Sequence, residues 1–293
     1  MILPVGGVPA NPITRFAPSI TGWLHLGHLA HAVFVWGIAR AVGAEVIVRL
    51  EDHDTGRFRP EYEAAILEDL AWMGLFDEAG RARVYRQSDD WGVYEAALGR
   101  LRDAYACDCS RKDLTGTDDG ARELPYGGRC RGRDLALGPG KRLRVPLGPG
   151  PETFSDLLLG HQRQIPAEQC GDLTVRGANG DWAYHLAVVV DDDRQGVNLV
   201  IRGEDLLFST GRQIRLGALL GRATPAVFAH HSLVLDDGRA KLSKRDGALG
   251  IRSLRAEGLS PEQLLGLAAA RVGLMDRPEA LSPSELGGLF EGS

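Results

Sequence analysis

Apolar residues recur at helical spacing from Leu24 to Val42, and Gly43 follows as a left-handed helix stop. Next comes Glu45-Val-Ile-Val-Arg-Leu-Glu51, a β-rich run that ends in charge. Pro60 to Met73 reads as a helix with proline in its first turn and Gly74 at its end, and Ser88 is placed to cap another through about Tyr105. Strand alternating with helix predicts a parallel α/β sheet. From about Cys107 to Pro166 the rhythm breaks into Gly, Pro and Arg with short apolar runs, which reads as an insertion. The pattern then resumes. Leu186-Ala-Val-Val-Val-Asp191 and Val197-Asn-Leu-Val-Ile-Arg202 read as strands joined by an Asp-rich turn, and His231-Ser-Leu-Val-Leu235 as another before the turn at Asp236-Asp-Gly238. The tail from Ser253 reads as helical, with no core of its own.

Composition narrows the class. A chain of 293 residues with 44% hydrophobic content can bury a real core, as one large domain with an insertion or as two domains. A net charge of −5 argues against non-specific coating of nucleic acid and leaves room for a local basic groove. Residues 1–14 lack a basic start followed by an apolar core, and no run approaches the roughly 18 apolar residues of a membrane span, so a cytoplasmic protein is expected. Four cysteines, with Cys107, Cys109 and Cys130 close together, point to a metal site rather than a disulfide framework.

The chemistry concentrates in Arg15-Phe-Ala-Pro-Ser-Ile-Thr-Gly-Trp-Leu-His-Leu-Gly-His28, a loop that runs into a helix start. His25 and His28, three apart, share a helical face over a first turn whose free N–H groups and positive dipole end attract phosphate. Gly22 and Gly27 let backbone approach the ligand closely. Ligands of an open parallel sheet bind beyond the carboxyl ends of its strands, where Glu51, Arg202 and this loop are expected to meet. Lys241-Leu-Ser-Lys-Arg245 suits a loop that closes over a polyphosphate through Lys241 and Lys244. Zinc takes four ligands, and no histidine lies between His53 and His161; by chemistry alone the fourth ligand beside the three cysteines is Cys170 or water.

His25-Leu-Gly-His28 and Lys241-Leu-Ser-Lys-Arg245 match the two signatures of class I aminoacyl-tRNA synthetases, which the chain resembles from about Arg15 to Arg245. The second signature departs from Lys-Met-Ser-Lys-Ser at Leu242, which conserves volume, and at Arg245. Arg15-Phe-Ala-Pro-Ser19, Arg49-Leu-Glu-Asp52 and Val200-Ile-Arg-Gly-Glu-Asp205 resemble the glutamyl branch. Glutamate carries two carboxylates and one ammonium, and Arg15, Arg202 and Glu51 offer complementary charges. The resemblance implies a Rossmann-like parallel-sheet core in two halves, 1–106 and 167–250, split by a zinc-bearing insertion at 107–166 and followed by a helical tail at 251–293. It implies His25, His28 and Lys244 as catalytic residues, and Gly27 and Lys241 beside them on ATP with Mg2+. It adds Ser19 and Tyr184 to a glutamate pocket that takes in Phe16, Ala17 and Pro18 with Arg15, Glu51 and Arg202.

Fewer than fifty residues follow the lysine motif, too few for an anticodon-binding domain of ordinary size. The chain therefore resembles the short branch that transfers glutamate to the queuosine base in the anticodon of tRNA(Asp). In that branch the pattern Cys-x-Cys, Tyr-x-x-x-Cys implies one structural zinc on Cys107, Cys109, Tyr126 and Cys130. A monomer that binds ATP, glutamate and queuosine-bearing tRNA(Asp), and no membrane, is expected. The alternatives are a truncated glutamyl-tRNA synthetase charging an acceptor end, a zinc-stabilised RNA-binding paralogue without catalysis, and a nucleotidyltransferase acting on a small metabolite.

Overall fold

The computed structural model describes residues 7–53, 56, 58–76, 83–110, 113, 125–233 and 250–291. Strands β1 (Ile13–Phe16), β2 (Glu45–Leu50) and β3 (Val84–Arg86) form a parallel sheet in the order β1-β2-β3. Strands β6 (Glu152–Asp156), β7 (Gly160–Gln164), β9 (Leu199–Gly203) and β10 (Val227–His231) form a second, in the order β7-β6-β10-β9, parallel except for the β6–β7 hairpin. The two meet at Asn198, whose backbone N–H donates to the Ile13 carbonyl at 3.1 Å while its Oδ1 accepts from the Ile13 N–H at 2.8 Å. The seam between β1 and β9 is where strand order reverses, the place at which open α/β sheets bind ligands beyond the carboxyl ends of their strands.

Helix α1 (Leu26–Val42) crosses from β1 to β2. Apolar on almost every side, it lies between the sheet and the tail helices α7 (Ile251–Ala256) and α8 (Pro261–Arg271). Gly43 at φ 68° closes it in the left-handed cap read from the sequence. Helix α2 (Pro60–Trp72) has proline at its start, also as expected, and Gly74 at φ 66° beyond its end. The tail shares the core of α1: Leu264, Leu265, Leu286 and Phe290 are buried in that cluster. No helix of the described residues is long and apolar enough to cross a membrane.

Four expectations are corrected. The run Leu186–Asp191 is not a strand but the middle of helix α5 (Tyr184–Arg194). It is buried from Leu186 to Asp192, so apolar side chains surround the helix and leave no 3.6-residue alternation to read. Among the described residues the last parallel strand ends at His231, where one was expected to begin; its pairing with β9 runs from Val227↔Leu199 to His231↔Gly203, and Val234 and Leu235 of the expected strand lie outside the described residues. Ser88 lies in a 3-10 turn, Gln87–Asp89; α3 (Gly92–Arg100) starts later, where Asp90 Oδ1 accepts from the Gly92 N–H at 3.1 Å, and Tyr105 opens strand β4 (Tyr105–Cys107). The 107–166 boundary does not follow the sheets either. Strands β4, β5 (Arg142–Val145) and β8 (Leu173–Arg176) form an antiparallel sheet reaching past 166, with the short helix α4 (Pro166–Cys170) beside it, whereas β6 lies against β10 in the main layer. Strand β1, four residues long, went unread because one of its inward positions is the charged Arg15.

Candidate active site

His25 is the N-cap of α1 in extended backbone, and its Nδ1 accepts from the Gly27 N–H at 3.1 Å. His28 returns the bond: its Nδ1 accepts from the His25 N–H at 3.2 Å. Two imidazoles thus make a reciprocal capping box of the kind usually built from Ser or Thr with Glu. Each ring spends its Nδ1 lone pair on the helix, so the proton of the neutral ring sits on Nε2. The rings lie 3.8 Å apart between centroids, over a helix start with no acidic residue in its first turn. Lys241, Lys244 and Arg245 lie outside the described residues. The chain resumes at Gly250, bridged to His25, with the Ile251 N–H donating to the Leu24 carbonyl at 3.1 Å.

At the carboxyl end of β1, Arg15 is buried and held by Asp192 Oδ1 at 3.0 Å and the Ile201 carbonyl at 3.2 Å. Phe16 is buried and stacks on His31 with centroids 5.4 Å apart, Pro18 is buried, Ala17 half-buried and Ser19 exposed. The Ser19 strand end bridges to Glu51, whose N–H donates to the Pro18 carbonyl at 3.1 Å. Glu51 is buried, and burial raises its carboxyl above the ordinary range against the opposing pull of Arg49, His53 and Arg15. Burial also raises the Tyr184 phenol, which senses Glu51, Arg202 and Arg15. Arg15, Glu51, Tyr184 and Arg202 thus lie near enough to one another at the carboxyl edge of β1 and β9 for their charges to interact.

The two arginines differ in one respect. Asp192 neutralises Arg15 and pairs with Arg49 as well, Nη2 at 2.8 Å, and the two guanidiniums outweigh burial to hold its carboxyl below the usual range. Arg202 is met by neutral acceptors: His230 Nε2 at 3.0 Å, Gln213 Oε1 at 2.6 Å, Thr210 Oγ1 at 2.8 Å and the Leu206 carbonyl at 3.3 Å. Burial lowers its pKa, which records a guanidinium short of counter-charge. A carboxylate ligand would supply that charge, received by the one guanidinium N–H, on Nη1, that these four bonds leave open.

Sequence reasoning missed the residues behind this pocket. Arg49, fully buried, joins Asp192, Glu51 and Gln195, while Asp191 accepts from Gln87, Tyr94 and Arg194. Arg49 was visible as the first residue of the Arg49-Leu-Glu-Asp52 motif but was given no role, and Asp191 and Asp192 were visible in the run Asp191-Asp-Asp193, which looks like a polar turn until α5 turns two of its carboxylates inward.

The cysteines also come together. Sγ atoms of Cys107, Cys109 and Cys130 lie within 4.8 Å of one another, all buried. The Tyr126 hydroxyl sits among them, 3.4 Å from Cys107 Sγ and 3.6 Å from Cys109 Sγ, while Cys109 and Cys130 are 3.5 Å apart. Tetrahedral zinc on thiolates and a phenolate oxygen needs ligand–ligand edges of roughly 3.5–3.8 Å, from bonds of about 2.3 Å to sulfur and 2.0–2.2 Å to oxygen. The three distances given, 3.4–3.6 Å, come close to those edges, so the donor set of Tyr126 and the three cysteines suits such an ion. Cys170 Sγ instead donates to the Pro166 carbonyl at 3.3 Å, outside the cluster. The Cys130 N–H donates to the Tyr126 oxygen at 2.8 Å and the Arg144 guanidinium lies 4.0 Å over its ring, both favouring an oxygen that carries negative charge.

Comparison with known proteins gives the following. Residues 13–280 match the family model for the catalytic domain of class I tRNA synthetases (E and Q). A Glutamyl-Q tRNA(Asp) synthetase of Geobacter sulfurreducens is 45% identical across 90% of this chain and 92% of its own length. A Glutamate–tRNA ligase 2 of Syntrophus aciditrophicus is 39% identical across 88% of this chain and 57% of its own. The crystal structure of a glutamate tRNA ligase from Elizabethkingia meningosepticum with its amino acid superposes with a TM-score of 0.75 at 26% identity; this chain covers 65% of that one.

Proposed function

The chain belongs to the class I tRNA synthetases of the E and Q branch, and from that premise we propose that it activates glutamate with ATP and transfers it to the queuosine base of tRNA(Asp). An oxygen of the glutamate α-carboxylate attacks the α-phosphorus of ATP, brought as its Mg2+ complex, and the bond to pyrophosphate breaks. The Nε2–H groups of His25 and His28 and the positive dipole end of α1 stabilise charge on the transferring phosphoryl group. Lys244, with Lys241, binds the departing phosphates. No protein nucleophile is required, so positioning and electrostatics carry the step. Glutamate sits between Arg15, Arg202 and Glu51, with Ser19, Tyr184 and the Phe16-Ala17-Pro18 backbone completing the pocket. In the second step a hydroxyl of the modified base attacks the activated carbonyl and adenylate leaves.

One observation carries the glutamate reading: Arg202 is a buried guanidinium surrounded by neutral acceptors, beside Arg15 and Glu51 at the edge that also holds the two histidines. The queuosine reading is supported by relatives named Glutamyl-Q tRNA(Asp) synthetase at 45% and 41% identity. We assign one structural zinc to Cys107, Cys109, Tyr126 and Cys130; bound there, it would pin a segment poor in apolar core.

The experiment is glutamate transfer to tRNA(Asp) with and without queuosine, and to the modified tRNA lacking its 3′-terminal adenosine. Transfer should require the modification and survive loss of the adenosine. Transfer that ignores the modification and needs the adenosine would establish acceptor-end charging instead.

A further inference from the structure

Strands β6, β10 and β9 lie side by side, and one polar side chain from each forms a line across them. Asp156 ends β6, His230 sits in β10, and Arg202 stands opposite His230 in parallel register on β9. All three are buried, at 4%, 1% and 3% exposure. His230 Nδ1 lies 2.5 Å from Asp156 Oδ2, and the same carboxylate accepts from the His230 backbone N–H at 3.1 Å. A carboxylate only accepts, so Nδ1 carries the proton and Nε2 keeps its lone pair. That lone pair accepts from Arg202 Nε at 3.0 Å. The Thr210 hydroxyl accepts from Arg202 Nη2 at 2.8 Å and lies 3.1 Å from His230 Nε2.

This arrangement fixes a guanidinium without neutralising it. An aspartate directly on Arg202 would compete with a substrate carboxylate, as Asp192 does on Arg15. With an imidazole interposed, the carboxylate orients the acceptor while the arginine keeps its charge for the ligand. Gln213 works in the same way from the other side: its Oε1 accepts from Arg202 Nη1 and its amide donates to His185 Nδ1 at 3.2 Å, so the second histidine near the guanidinium is also held by a neutral partner.

We propose that Asp156 and His230 are positioning residues that aim Arg202 at the side-chain carboxylate of the amino-acid substrate and thereby set the preference for glutamate over glutamine. The proposal rests on the reading that Arg202 receives that carboxylate, and it extends to residues from β6 and β10 that no motif identified.

The test is amino-acid-dependent ATP–pyrophosphate exchange, with glutamate and glutamine compared for the full-length chain and its variants. In His230→Leu the acceptor is gone; KM for glutamate should rise about tenfold or more, as for loss of one hydrogen bond to a charged group, with KM for ATP within about twofold and the glutamate preference reduced in proportion. His230→Gln restores an acceptor at the reach of Nε2 and should recover most of that loss. Asp156→Asn puts an amide donor against N–H donors and should act like His230→Leu; because Asp156 also accepts from the Leu158 and Leu159 N–H groups, the two His230 variants decide if this one fails to fold. Parallel increases in KM for glutamate and ATP, or an unchanged preference in His230→Leu, would overturn the proposal. If the unaltered chain prefers glutamate and Arg202→Gln loses that preference while His230→Leu keeps it, the reading of Arg202 stands and this inference alone fails. If the unaltered chain shows no glutamate-dependent exchange, the reading itself fails and the inference with it.

Discussion

A single arginine separates binding from chemistry in this pocket. Arg202→Ala removes a charge that acts on glutamate before and during reaction alike; KM for glutamate should rise about tenfold to a hundredfold with a smaller change in kcat. Lys244→Ala should do the reverse, because the lysine meets charge that grows as pyrophosphate departs. Steady-state exchange kinetics check both, and an equal loss in the two parameters for Lys244→Ala would contradict its assigned part. At this scale the sequence was informative where residues act in pairs at short spacing. His25 and His28 lie three apart and the structure has them touching, and the three cysteines are within one short segment and converge. It was silent where partners come from distant elements: nothing in His230 or Asp192 as isolated letters announces that each holds an arginine, or in Asp156 that it holds His230, since these approaches are set by sheet register and by the packing of α5 on the sheet.

Elements were legible in proportion to their punctuation. The end of α1 was placed correctly because Gly43 supplies the positive φ it requires, and the start of α2 because proline opens it. Helix α5 was misread because burial on nearly all sides leaves a β-branched run indistinguishable from a strand. Two element-level predictions follow from close approaches. A Cβ on Gly37 would lie 2.2 Å from Phe290 Cε2 and 3.0 Å from the Leu286 carbonyl, so Gly37→Ala should push the tail off α1; a loss of about 1–3 kcal/mol is expected in urea unfolding. For the β4-β5-β8 sheet, chelation should release about one zinc per chain and expose its connections to limited proteolysis while glutamate-dependent exchange persists. A metal-free chain that resists protease as the loaded chain does would remove zinc from that sheet.

On the scale of the whole molecule, burial favours the neutral form of four imidazoles among the described residues. His231 Nδ1 lies 2.8 Å from the Ser232 carbonyl, which can only accept, so its Nε2 accepts from the Nδ1–H of His31 at 2.9 Å. Adding a proton to His231 would set two donors face to face. Burial holds His231 down to about 4 and His185 to about 3, and it also lowers His31 and His230. In the unfolded chain each returns to an ordinary value near 6.5. Below that pH the unfolded state binds protons the folded state refuses, so this stability is complete above about 6.5 and is lost as pH falls toward the folded values. Each imidazole contributes at most about 1.4 kcal/mol per pH unit. The raised carboxyls of Glu51 and Asp69 act in the opposite sense, because there the folded state takes the proton first. Four imidazoles against two carboxyls should give a net loss between pH 6.5 and 5, read as a falling urea midpoint at constant m-value. His231→Leu, which retains an apolar face against Phe34, should flatten that slope by up to one proton. A midpoint independent of pH across this window would mean that the four rings are not held neutral by the fold.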